Sequence, residues 1–413
     1  MNIVYLNHYA GSPAHGMEYR PYYLAREWVR QGHRVCIVAA SFSHVRQQQP
    51  ELAGRPWRHE TVDGIDYLWL AAPRYHGNGV GRVRNIFTFL YRLWRHEAAL
   101  PFAPDAVIAS STYPLDIHPA RRLARRHRAV LAWEVHDLWP LSPIELGGMS
   151  PRHPFIRLLQ HAEDRACREA GVVVSMLPMA RAHLEAHGMA AAKFHYVPNG
   201  IAADEWEPAR QAPLPEAAGR IVARARAAGR SLIAYAGAHG IANALDSLLD
   251  AAALCRDEPV SFLLVGDGPE KARLEARAQA LQLADLHFLP PVPKAAIPAL
   301  LGEMDALYIG LQREPLFRFG ISPNKLIDYM MAGRPILCAI EAGNDPVGEA
   351  GCGLTLPAED PPALAAGIRR LLALDPAERA RMGRAGRRHA ETHHLYPALA
   401  TRFLGALAAA RAA

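Results

Sequence analysis

Short apolar runs alternate along the chain with amphipathic stretches rich in Arg and Ala. In the first half the runs predict strands at 2–7, 34–40, 65–71, 106–110, 130–135, 171–176 and 194–197. In the second half they predict strands at 231–237, 260–266, 285–289, 305–310, 335–340 and 353–356. The runs are continuously apolar, the pattern of strands covered on both faces. Helix-period segments separate most of them, and repeated strand–helix units build parallel sheets. The first helix follows strand one. Pro21 suits its opening turn, Leu24 and Trp28 share a face, and Gly32 ends it. Near 201–230 the alternation lapses, with Pro208, Pro213 and Pro215 in a polar, Ala-rich stretch before Ser231-Leu-Ile-Ala-Tyr-Ala236 restarts it. The expected fold is α/β, with two Rossmann-like, doubly wound parallel-sheet domains at 1–200 and 201–386 facing across a cleft. An Ala-rich helical segment, about 387–413, is expected to pack back on the first domain.

Composition narrows the class. The 413 residues are 50% hydrophobic and 21% charged, a globular balance, and the formal charge is +6. That excess suits anionic ligands or an anionic membrane surface, and equally simple solubility. Five cysteines without zinc or redox spacing read as small buried hydrophobes in a reducing, cytoplasmic compartment. The chain opens on a strand without a basic leader, and no run of about 18 apolar residues predicts a spanning helix. Basic and aromatic residues mix between Arg82 and Arg95. This segment is either an amphipathic helix on anionic lipid, a peripheral contact with the cytoplasmic face of the inner membrane, or a core helix with solvated arginines. Basic residues are otherwise scattered, and no nucleic-acid-reading motif occurs.

The most informative stretch runs from Phe319 to Pro335. Ser322 is a good N-cap, Pro323 fits the first helical position, and Gly333 and Pro335 mark the stop. Asn324, Lys325 and Asp328 share part of one face. Free N–H groups at such a helix start bind phosphate. Lys325 opposes the helix dipole there, a conflict that a docked anion resolves, although a solvated surface lysine is the plainer account. Asp328 can accept from ribose hydroxyls or pair with a cation. A second layout, strand–turn–helix, runs through Gly237, His239, Gly240 and Asn243 and can bind an anion. Gly266 opens a third turn, Val265-Gly-Asp-Gly-Pro269, which favours a structural role and can also wall a ligand site. In the first half, His15, Gly16 and Glu18 follow strand one, and Gly16 would let an amide approach a phosphate. His136 and Asp137 end the strand at 130–135, and Ser111 and Thr112 follow the strand at 106–110 as candidate acceptor contacts. No metal-ligand cluster is evident.

Together these motifs resemble the family-4 retaining glycosyltransferases of the GT-B fold, along nearly the whole chain. The resemblance rests on the Gly16 loop, Gly32-His33, His136-Asp137, Val197-Pro-Asn-Gly-Ile201, Val265-Gly-Asp-Gly-Pro269 and the Lys325 helix. His8-Tyr-Ala-Gly-Ser12 and Ser322-Pro-Asn-Lys325 are similar to the bacterial surface-polysaccharide subgroup that includes N-acetylfucosaminyl transferases, makers of O-antigen and capsule. The resemblance implies a UDP-linked, often N-acetylated donor and a saccharide acceptor on polyprenyl diphosphate. It also implies retention, with His136 and Lys325 as catalytic groups and no metal. Gly16, Gly237, His239, Gly240, Asn243, Gly266, Ser322, Pro323, Asn324, Lys325 and Asp328 would hold the donor. His15, Glu18, Asp137, Ser111 and Thr112 would lie on the acceptor side. Two departures stand out. The family's two glutamates near the donor correspond here to Gly320 and Asp328, and its Arg and Lys after the second domain's first strand are absent, leaving Lys325 with Arg313 or Arg318 to supply the charge. A UDP-sugar 2-epimerase and a non-catalytic nucleotide-sugar-binding subunit are the alternative readings.

Overall fold

The computed structural model describes residues 1–16, 19–77 and 79–412. Its strands are β1 (Asn2–Leu6), β2 (Arg34–Ala40), β3 (Trp57–Val62), β4 (Ile65–Leu70), β5 (Ala106–Ala109), β6 (Val130–Val135), β7 (Val172–Ser175) and β8 (Phe194–Tyr196). They continue with β9 (Ser231–Ala236), β10 (Val260–Val265), β11 (Leu286–Leu289), β12 (Ala306–Gly310), β13 (Ile336–Ala339) and β14 (Gly353–Leu356). Two sheets result, in the orders β3-β4-β2-β1-β5-β6-β7-β8 and β11-β10-β9-β12-β13-β14. Every neighbouring pair is parallel except β3 with β4.

Burial on both faces explains the continuous apolar strands. In β9, Leu232, Ala234 and Ala236 enter one core cluster, while Ile233 and Tyr235 enter the cluster on the opposite face. In each sheet the strand order reverses beside its first strand, between β1 and β5 and between β9 and β12. At such a switch point the flanking crossovers leave on opposite faces and open a crevice beyond the strand ends.

The pattern misses β3. Its residues are mostly exposed or half-exposed, because it is an antiparallel edge strand with only one neighbour. Asp63 and Gly64, both at positive φ (51° and 78°), form the tight turn into β4. The chain forms two compact units, one of residues 1–199 with the helix Tyr396–Ala412, the other of Gly200–Leu395. The segment from about 387 therefore divides. Residues up to His393 finish the helix Pro376–His393 in the second unit, and Tyr396 begins the helix that belongs to the first.

The helix Asn324–Ala332 also starts later than expected. Pro323, not Ser322, is its cap residue, in extended backbone (φ −73°, ψ 129°) and without a capping side chain. Gly333 ends it in the left-handed region, φ 68°.

Candidate active site

In the second unit the chain leaves β9 at Ala236 and turns through Gly237 to Asn243. The helix expected near Asn243 begins only at Leu245, after a short 3-10 turn Ile241–Asn243. The turn is tied to the other side of the switch point, since the Gln312 amide donates to the Ala242 carbonyl at 3.0 Å. Into this corner reaches Lys325. Its Nζ donates to Tyr235 Oη at 2.8 Å and to Asn243 Oδ1 at 2.5 Å, and lies 4.6 Å from the centre of the Tyr235 ring. Tyr235 Oη and Asn243 Nδ2 in turn donate to the Ala238 carbonyl, at 2.7 and 3.0 Å. Neutral oxygens hold the ammonium, and among the described residues no carboxylate pairs with it. Burial lowers the Lys325 pKa to about 8. A desolvated cation with no counterion and one N–H unused among the described residues is a built receptor for an anion. Gly237 keeps the corner open, because a Cβ there would lie 3.3 Å from Lys325 Nζ and 3.1 Å from Tyr235 Oη.

Asp328, on the same helix, is half-buried and has no hydrogen-bond partner among the described residues. Burial pushes its carboxyl up to about 7, against a small opposing pull from Lys294. Asn324 is exposed at the helix start, and Ser322 and Pro323 precede it half-buried. Gly320 adopts φ 92° and ψ 171°, a conformation open essentially to glycine alone. A glutamate could not simply be restored there on this backbone. Arg313 is ion-paired with Glu341 at 2.8 Å, so it is not an uncommitted cation beside Lys325. Arg318 donates to the Pro315 carbonyl at 2.7 Å.

His239, expected among the donor contacts, lies in the core. It is fully buried, near the Tyr235 and Phe288 rings, and neither ring nitrogen has a partner. Burial, reinforced by Lys271, lowers its pKa to about 4 and keeps it neutral. Its backbone is what binds neighbours, donating to the Asp267 carbonyl at 2.8 Å and accepting from the Glu270 amide at 3.0 Å. Gly266 and Gly268 permit that approach, for a Cβ would collide with the Gly237 carbonyl at one and the His239 carbonyl at the other. Gly240 is extended, φ −112°, and leads into the 3-10 turn.

In the first unit the strand ends carry a buried network. Glu134, wholly buried on β6, accepts from Tyr5 Oη, from Arg20 Nε at 2.9 Å and from Ser110 Oγ at 2.6 Å. His136 Nε2 lies 3.1 Å from the same carboxylate and 2.8 Å from Ser110 Oγ. Burial alone would raise the Glu134 pKa, but the Arg20 guanidinium and His136 hold it well below the usual carboxylate range. Arg20 also donates to the Val197 and Pro198 carbonyls, at 2.8 and 2.5 Å. The strand end thus orients His136 and fixes the junction motif.

Most other first-unit candidates have structural duties. The Gly16 amide, offered above to a phosphate, donates to the Ser12 carbonyl at 2.9 Å. His15 is buried, with Nδ1 2.8 Å from Ser12 Oγ and its ring against Trp69. Ser111 Oγ accepts from the His8 amide at 3.1 Å, and its own amide donates to Asp116 at 2.8 Å. Asp137 accepts from the Leu138 amide and Ser142 Oγ at the start of the short helix Leu141–Glu145. Thr112 remains half-exposed, and Glu18 lies outside the described residues. Tyr235, Glu134, Arg20 and Ser110 were not singled out from sequence. A carboxylate on a strand covered on both faces was the available signal, because it demands buried partners.

Two parallel-sheet α/β units, each with its polar groups gathered at a switch point, define the GT-B class of folds. Residues 15–200 match the glycosyl transferase 4-like domain and residues 230–374 the glycosyl transferases group 1 domain, so the chain belongs to the glycosyltransferases that join these two domains. WcaI of Escherichia coli (strain K12), named as a glycosyl transferase of colanic acid biosynthesis, is 33% identical over 150 residues. That alignment spans 35% of this chain and 36% of the relative, little more than a third of its length. Among solved structures, sucrose-phosphate synthase from Thermosynechococcus elongatus superposes with a TM-score of 0.72 at 18% identity, covering 98% of each chain. HepE of Anabaena in complex with UDP superposes with a TM-score of 0.70 at 17% identity, covering 99% of this chain and 100% of that one.

Proposed function

We propose that the chain transfers a sugar from a UDP-linked, N-acetylated donor to a saccharide carried on polyprenyl diphosphate, during bacterial surface-polysaccharide synthesis of the O-antigen or capsule type. The observation that carries this reading is the uncompensated Lys325 ammonium, set at the β9–β12 switch point against Gly237. The likeness to WcaI supports the polysaccharide setting, and UDP in the HepE structure supports the nucleotide.

In this reading the donor diphosphate meets Lys325 and the start of the helix Asn324–Ala332, with Gly237, Gly240 and Asn243 walling the site. Asp328 accepts from the ribose. The bond between the anomeric carbon and the phosphate oxygen breaks, and negative charge grows on the leaving UDP. Lys325 stabilises that charge more than the ground state, so no metal ion is required for it. The acceptor hydroxyl bonds to the anomeric carbon on the face the phosphate leaves, and gives its proton to the departing phosphate oxygen. The outcome is retention. On the first unit, His136, held by Glu134 and Ser110, is assigned to contact with the sugar.

The helix Val80–Arg95 supports a membrane contact at the cytoplasmic face. Ile86, Phe89 and Leu93 face inward, yet Phe87, Tyr91 and Trp94 form a second apolar stripe that is 44%, 61% and 51% exposed. Arg121, Arg122, Arg125 and Arg165 line the same surface. No helix among the described residues is long and apolar enough to cross a membrane.

The test is Lys325→Ala assayed for UDP release from a panel of UDP-sugars with a lipid-linked acceptor. Loss of one such stabilising group costs about 10²–10³-fold in rate. Unchanged turnover would remove Lys325 and this reading with it. Donor conversion without acceptor would instead favour the epimerase. UDP binding without release would favour an idle binding subunit, a reading that the glycine-only backbone at Gly320 supports.

A further inference from the structure

A second polar cluster lies within the first unit, on two helices that the proposed transfer does not use. Glu163 and Asp164 belong to the helix Pro154–Glu169, His183 belongs to the helix Arg181–Ala186, and His187 follows one turn later. His183 Nε2 is 3.0 Å from Glu163 Oε1, and His187 Nδ1 is 2.8 Å from Asp164 Oδ1. The two imidazole rings stand 4.5 Å apart. At i and i+4 they share one helical face, the spacing by which a helix presents two nitrogens to one ion.

The charge balance is the telling feature. The Glu163 side chain is fully buried, and a buried carboxylate needs a cation. Among the described residues no lysine or arginine forms an ion pair with Glu163 or Asp164. Arg168 acts on Asp164 only through space. Gln160 Nε2 donates to Glu163 Oε2 at 2.8 Å and to Asp164 Oδ1 at 2.9 Å, and lies 3.0 Å from His187 Nδ1. Candidate ligand atoms of Glu163, His183 and His187 all lie within 4.8 Å of one another. Tetrahedral zinc, with bonds of about 2.0–2.1 Å, sets its ligands roughly 3.3 Å apart. Small side-chain rotations close that difference.

We propose that Glu163, Asp164, His183 and His187 bind a divalent transition metal of the zinc type. Mixed imidazole and carboxylate donors suit zinc or cobalt and not magnesium or calcium, which prefer all-oxygen shells. With the ligands on two helices, the ion staples Arg181–Ala186 to Pro154–Glu169. Its role is structural and independent of sugar transfer.

The full-length protein, stripped with a chelator, is titrated with Co²⁺ by visible absorption and with Zn²⁺ by calorimetry. One tightly held equivalent is expected, with a tetrahedral cobalt spectrum displaced by zinc and a higher melting temperature. His183→Asn/His187→Asn should abolish it with unchanged circular dichroism. His389→Asn/His393→Asn, which removes a histidine pair of the same i, i+4 spacing in the second unit, should retain it. If the first double variant fails to fold, Glu163→Gln should weaken binding at least tenfold. No saturable binding by the wild type, or an equivalent kept when His183 and His187 or Glu163 are replaced, overturns the proposal.

Discussion

Lys325 and Asp328 carry opposite burdens of the same burial. The lysine is pushed down to about 8 and the aspartate up to about 7. If the donor needs an ammonium for its diphosphate and a carboxylate for its ribose, kcat/KM should rise through about pH 7 and fall through about pH 8. Asp328→Asn should erase the acid limb and leave the alkaline one. An acid limb that persists in that variant assigns the proton to another group. The same burial has a consequence for stability. Lys325 has a lower pKa folded than unfolded, so the unfolded chain binds more protons between about 8 and the ordinary lysine value, and stability rises with pH across that window. At neutral pH the charge is a net cost. Lys325→Met should therefore raise stability by about 1–2 kcal/mol, after allowance for its partial exposure, while activity falls. A lowered melting temperature at pH 7 would show that the lysine is not strained by desolvation. The lysine was legible in sequence as a cation at a helix start. Its partner Tyr235 was not, because a tyrosine inside a buried strand reads as core, and only the fold reveals that its hydroxyl emerges beside Gly237.

Elements were legible in proportion to their burial. Thirteen predicted strands lie on strands of the two sheets because parallel strands covered on both faces concentrate apolar residues. The exposed edge strand β3 lacks that signature, and the Asp63-Gly64 turn before Ile65 was the clue that it existed. At the Lys325 helix the grammar was right in kind and the helix begins one residue later than it implied, since the extended backbone of Pro323 postpones the first turn. The helix Val80–Arg95 is the element whose two apolar stripes admit different functions. Its inward stripe is core, and its outward stripe has no use within a water-exposed surface. Tyr91→Glu/Trp94→Glu should reduce co-sedimentation with anionic vesicles several-fold while leaving the melting temperature within a degree or two. Equal sedimentation of variant and wild type, or binding insensitive to salt, would mean that the stripe does not meet lipid.

Over the whole molecule, the chain leaves the first unit after Asn199 and returns to it only at Tyr396. The break at Pro208–Pro215 was visible in composition. The point of return was not, because the seven alanines of the 17-residue helix Tyr396–Ala412 blur its apolar face. In the fold that face is clear. Tyr396, Leu399, Ala400, Phe403, Ala406 and Leu407 are buried at helical spacing. Tyr396 stacks on Tyr23, with ring centres 4.8 Å apart, Phe403 meets Trp28 edge-on at 5.4 Å, and Trp28 Nε1 donates to the Ala400 carbonyl at 2.9 Å. Four large apolar side chains at about 1.5–3 kcal/mol each amount to roughly 6–12 kcal/mol, as much as a whole domain's net stability. Ending the chain after Leu395 should therefore unfold the first unit. Scanning calorimetry should show one cooperative transition lost and the other, from Gly200–Leu395, retained. The milder Trp28→Phe keeps an aromatic ring but removes the pyrrole part of the indole with its hydrogen bond, so it should cost about 2–3 kcal/mol and leave both transitions in place. If the truncated chain kept both transitions, the terminal helix would be an accessory of the first unit. If it lost both, the two units would not unfold separately, and the second could not be treated as a self-sufficient fold.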